Sequence, residues 1–68
     1  MSGRELRELA ESVGASALDV CIASEGLIRS QTTVLKVYNE RHVSPKSKLR
    51  VEQAIKRIVA RMRAPVAG

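Results

Sequence analysis

Sixty-eight residues and 7.4 kDa make a single domain, too small to hold both a full core and a large catalytic cleft. One Cys and one His exclude a disulfide framework and a cysteine-built zinc cage, and with one Tyr, no Phe and no Trp there is no platform for stacking bases as RNA-binding sheets and oligonucleotide-binding barrels do. The net charge of +5, with a pI near 10.2, points instead to a polyanion partner.

The periodicity is helical throughout, and the helices are punctuated by their caps. Ser2-Gly3-Arg4-Glu5 reads as a capping box, with Ser2 as N-cap and Glu5 reaching back. Leu6, Leu9, Ala10 and Val13 follow as one apolar stripe, and Gly14 closes a first helix over about 3–13. Ser16 with Asp19 repeats the box, and Leu18, Cys21 and Ile22 are the expected buried stripe of a second helix, about 17–25, ended by Gly26. Leu27 and Ile28 are expected to plug the core from a turn. Ser30 caps a third helix, about 30–40, with Val34, Val37 and Tyr38 inward and the Tyr38 hydroxyl free at the rim. Ser44-Pro45 is the strongest start signal, an N-cap followed by Pro where no N–H is missed. The fourth helix, about 45–63, buries Val51, Ala54, Ile55, Ile58, Val59 and Met62, and Pro65 stops it ahead of a frayed tail at 64–68. The expected architecture is an all-α, four-helix domain over 1–68 containing a helix-turn-helix.

Charge is segregated along the chain. Residues 1–28 carry two Arg against five acids, net −3, whereas residues 29–68 carry ten Lys or Arg against Glu40 and Glu52, net +8. The third helix opens in the basic part. A reading helix enters the major groove with its N-terminal end and needs short polar side chains there, with a longer one a turn on. Ser30-Gln31-Thr32-Thr33-Val34-Leu35-Lys36 supplies them. Gln31, Thr32 and Lys36 are the candidate base contacts, since Gln bonds adenine, the Thr methyl meets thymine and Lys reaches guanine. Ser30, Thr33 and the helix start suit phosphate. Arg29, Lys46 and Lys48 are further candidates for the backbone, and Arg50, grouped with Lys46 and Lys48 around the start of the fourth helix, is open to phosphate contact or to plain solvation.

Residues 30–58 of this sequence resemble the DNA-binding head of the lactose-repressor family. The matching positions are Ser30, Thr33, Val34, Asn39, His42, Val43, Ser44, Val51, Ala54 and Ile58. The resemblance implies base contacts by Gln31, Thr32 and Lys36, and backbone contacts or positioning by Ser30, Thr33, Asn39, His42 and Ser44. The turn Gly26-Leu27-Ile28-Arg29-Ser30 is two residues longer than that family's, and a helix precedes it. Small size and a leading helix are also similar to phage Cro-type and repressor-type proteins of the lambda-repressor-like fold.

The expected function is sequence-specific binding of double-stranded DNA by a homodimeric transcriptional regulator, a small repressor of a phage or mobile element. The alternative is a helical interaction module or inhibitor whose basic face meets an acidic protein; it would show a contiguous apolar patch on the third or last helix. No catalytic constellation, metal site, cofactor or small-molecule effector is expected. No run approaches the ~20 apolar residues of a membrane span. The first residues lack the apolar stretch of a signal peptide, and a free thiol fits a reducing compartment, so a cytoplasmic, nucleoid-associated protein is expected.

Overall fold

A computed structural model describes residues 1–63. The expected stop at Pro65 and the tail at 64–68 lie outside the described residues. The chain is all-α, with α1 at Gly3–Ser12, α2 at Ala17–Ala23, α3 at Gln31–Tyr38 and α4 at Pro45–Arg63. Each bound lies within two residues of the one expected from the sequence.

The caps explain the bounds. At α1, the Glu5 amide donates to Ser2 Oγ at 3.1 Å and the Ser2 amide to Glu5 Oε1 at 3.2 Å. At α2, the Ser16 amide donates to Asp19 Oδ2 at 2.8 Å and the Asp19 amide to Ser16 Oγ at 3.2 Å. These bonds from the cap amides, then those from the serine hydroxyls, hold both carboxyls below their ordinary pKa values. Gly14 closes α1 at φ 69°, and the Ala15 amide reaches back to the Ala10 carbonyl at 2.9 Å, completing a Schellman motif. At α3 the same motif forms with Glu40 in the left-handed position, φ 54°, and the Arg41 amide on the Lys36 carbonyl at 2.9 Å.

The nineteen-residue α4 is the element on which the other three helices pack, while α1 and α2 each also pack on α3. The core is Leu6 and Ala10 from α1, Val20 and Ala23 from α2, Ile28 from the connection, Val34 and Val37 from α3, and Val51, Ala54 and Ile55 from α4. The core proper is thus aliphatic, and the one Tyr, Tyr38, packs against it.

Several expectations about which residues are inside are corrected. In α2 the buried line is Val20 and Ala23, Cys21 is half-buried, and Leu18 and Ile22 are 51% and 67% exposed. Both faces of Ala17–Ala23 are apolar, so periodicity cannot choose between them. Close approach to α3 and α4 selects the face with the smaller side chains. Of the turn pair, Ile28 is the plug and Leu27 points out. Met62 is exposed: it borders a groove shared with Val13, Ala15 and Ile22 and does not enter the core.

The connection 24–30 is knotted by one hydroxyl. Ser24 is 3% exposed; its Oγ donates to the Cys21 carbonyl at 2.6 Å and accepts from the Ile28 amide at 3.0 Å. Ser24→Ala leaves that buried amide unpaired, and the expected cost is about 1–3 kcal/mol in urea unfolding. An unchanged midpoint would mean that the hydroxyl does not hold the turn.

Candidate nucleic-acid interface

Helix α3 is fixed from behind and open in front. Val34 and Val37 are buried, and Ile28 anchors the connection that leads into the helix. Gln31, Thr32, Leu35, Lys36 and Asn39 are exposed and fall in one arc about 140° wide at helical spacing. The three expected base-reading residues therefore share one face. Leu35, 50% exposed, lies among them and was missed, although its i+4 spacing from Gln31 marks it. An apolar side chain there suits a thymine methyl.

The start of α3 is shaped by its cap. Ser30 Oγ accepts from the Thr32 amide at 3.2 Å, and the Thr33 amide donates to the Ser30 carbonyl at 3.1 Å. Beside it lies a cleft of about 520 Å³ lined by Gly26, Leu27, Ile28, Arg29, Ser30, Thr33, Ser47 and Arg50. Three of the expected backbone contacts, Arg29, Ser30 and Thr33, thus meet α4. The cation they meet is Arg50.

The other candidates lie apart from this cleft. Lys48 borders two small depressions on a different flank of α4, one with Met1 and Glu52 and one with Gly3, Glu40 and Arg41. Lys46 is exposed one helical turn before Arg50. Ser44 serves as the cap of α4, its Oγ accepting from the Ser47 amide at 3.2 Å. Asn39 sits at the far end of the α3 face, in a depression shared with Arg7, Glu11 and Tyr38. His42 is exposed in the connection 39–44 and makes no side-chain hydrogen bond.

Ion pairing is lopsided. Glu8 pairs with Arg4, Glu11 with Arg7, Glu25 with Arg57, and Glu52 with Lys56 and the Met1 amino group. Glu5 and Asp19 are engaged in capping boxes, so that among the described residues Glu40 alone of the acidic side chains has no partner. Among the described residues, Arg29, Lys36, Arg41, Lys46, Lys48, Arg50, Arg61 and Arg63 make no ion pair. The acids are spent on caps, intrahelical pairs and two tertiary pairs, and the excess positive charge belongs to α3, its connections and α4. On α4, Lys56 and Arg57 are the exceptions, and Arg57 is the one tied to another helix. It donates to the Ala23 carbonyl at 3.2 Å and pairs with Glu25 at 3.3 Å, sealing the C-terminus of α2. That tertiary contact leaves no mark in the sequence.

Tyr38 differs from the expectation of a free hydroxyl. Its OH is buried and has no hydrogen-bond partner. Burial, then the Glu11 carboxylate, raises its pKa above the ordinary 10.0. Because folding disfavours the phenolate, this group's contribution to stability is complete below about pH 10 and is lost as pH rises through the folded-state pKa. As the sole Tyr in a chain without Trp, it can be followed by phenolate absorbance alone. A folded-state midpoint above 10 is expected, and Tyr38→Phe should raise stability by about 1 kcal/mol by removing an unpaired buried hydroxyl. A loss of stability in that variant would show that the hydroxyl is bonded.

Among the described residues no helix is long and apolar enough to cross a membrane, and no group of three His, Cys, Asp or Glu is placed to hold a metal ion. No protein-family model, curated protein or solved structure matches the chain.

Proposed function

We propose that this chain binds double-stranded DNA, with α2 and α3 acting as a helix-turn-helix and α3 lying in the major groove. One observation carries the reading: Gln31, Thr32, Leu35 and Lys36 are exposed on one face of a helix locked from behind, flanked by cations without carboxylate partners. Polar groups that can read base edges and charge that can meet phosphate are both on offer at the start of α3. The role is binding rather than catalysis. It is that of a transcriptional repressor that occupies its operator on the nucleoid.

A single module of this kind buries only about 600–1,000 Å² on DNA, so tight binding calls for two copies on a pseudo-palindrome, with half-sites about 34–36 Å apart. A protein-interaction module is the second reading. It is favoured by a mainly apolar groove where Ile22, Ile58 and Met62 meet Val13 and Ala15, bordered by Asp19 and Arg61.

Titration against duplex fragments at two salt concentrations, with the Gln31→Ala and Lys36→Ala chains alongside, separates the two. Selective, salt-steep binding that loses its selectivity in the variants supports the DNA reading. Absent binding, or weak binding unchanged in both variants, supports the protein partner.

A further inference from the structure

We propose that the cleft between the 24–30 connection and α4 is a phosphate site, built to hold one phosphodiester of a nucleic-acid backbone between Arg29 and Arg50. Its assignment to DNA rests on the function proposed above; its preference for phosphate rests on the cleft itself.

The lining decides the chemistry. Arg29, Ser30, Thr33, Ser47 and Arg50 supply every polar side chain, and no carboxylate lines the cleft. Two guanidiniums border one depression from separate elements, and neither makes an ion pair. An anion seated in the depression would meet both charges at once. The planar guanidinium fork matches two phosphate oxygens at once, which a lysine ammonium does not.

The hydroxyls are suitably free. Ser30 Oγ uses a lone pair to accept from the Thr32 amide, so its own proton remains to donate. Ser47 and Ser44 share one hydrogen bond at 3.0 Å; with Ser44 as its donor, the Ser47 proton is available to the cleft.

Arg57 is an internal comparison. It lies two turns beyond Arg50 along α4, and there the protein supplies a carbonyl and a carboxylate to satisfy it. At Arg50 it supplies neither. The cleft also adjoins the reading face, because Ser30 directly precedes Gln31 and Thr32. A phosphate seated there sets the register at which those side chains meet base edges, a role distinct from reading.

The test begins without DNA. The nitrogen-15-labelled full chain is titrated with inorganic phosphate at constant ionic strength, and its amide resonances are followed. Saturable shifts are expected at Arg29–Thr33 and Ser47. They should be lost in Arg29→Ala and Arg50→Ala, weakened in Arg50→Lys, and kept in Arg61→Ala, which removes an unpaired cation elsewhere. Shifts that are absent, spread over all cationic regions or indifferent to Arg50 overturn the proposal, whatever the chain does with DNA. On duplex, Arg50→Ala should lower the slope of log affinity against log salt by about 0.9 and leave the preference among sequences unchanged. Phosphate held in the cleft by a chain that binds no duplex would keep the site and overturn its assignment to DNA.

Discussion

Gly3→Ala is expected to cost at least about 3 kcal/mol, about a third or more of the stability of a domain this small. A small domain has only about 0.05–0.15 kcal/mol of stability per residue. Gly3 opens α1 and is buried, and a Cβ built on it would lie 1.9 Å from the Val37 carbonyl oxygen. That oxygen is backbone, inside α3, and already accepts the Glu40 amide at 3.1 Å. It has no rotamer by which to yield. Either α1 lifts, taking Leu6 and Ala10 out of the core, or the end of α3 breaks. Overpacking of a flexible neighbour costs about 1–3 kcal/mol, and a rigid one puts this case at or above the top of that range. Gly14→Ala is the control. It has open space around it and a φ of 69°, so only the backbone penalty of about 1 kcal/mol applies. Urea unfolding of the two variants measures the difference, and a Gly3→Ala midpoint equal to that of the parent would mean that α1 does not dock on α3 as described.

The largest functional effect is expected at the front of α3. Gln31→Ala and Lys36→Ala should each remove about 1–3 kcal/mol of discrimination between a selected duplex and a scrambled one, roughly 5- to 150-fold. Both residues are exposed, so unfolding should move by no more than about 0.5 kcal/mol. The contrast with Arg50→Ala is informative, since losing a backbone contact weakens all duplexes alike. Anisotropy titrations with a duplex selected from a random pool give both quantities. Parent-like discrimination in both variants would remove α3 from the role of reader.

Local chemistry made much of the fold legible. Ser2 with Glu5, Ser16 with Asp19, Gly14, and Ser44 before Pro45 each state a helix end through bonds that span three or four residues. The shared face of Gln31, Thr32 and Lys36 was legible for the same reason, being fixed by the helical repeat once the back of α3 is known. Tertiary placement was not legible. Ala17–Ala23 offers two apolar faces, and only the partners of α2 choose between them. Arg50 rather than Lys48 borders the α3 start because of how α4 is rotated against the 24–30 connection. Arg57 finds its carbonyl thirty-four residues away. The burial of the Tyr38 hydroxyl likewise follows from tertiary packing, which no spacing rule states.

The division of labour among the charges would also govern how the molecule meets the polyanion proposed as its partner. Because α1 neutralises its arginines internally while Lys36 of α3 and most of the cations of α4 stay open, the protein carries an electric moment as well as a net charge. In the field of a polyanion that moment exerts a torque, turning the chain before any contact forms. With the duplex proposed above as partner, productive encounters would be enriched over random collisions, and added salt would slow arrival as well as loosen the complex. Reversing the charge of a residue on α1 would then change the association rate with little change in the rate of departure.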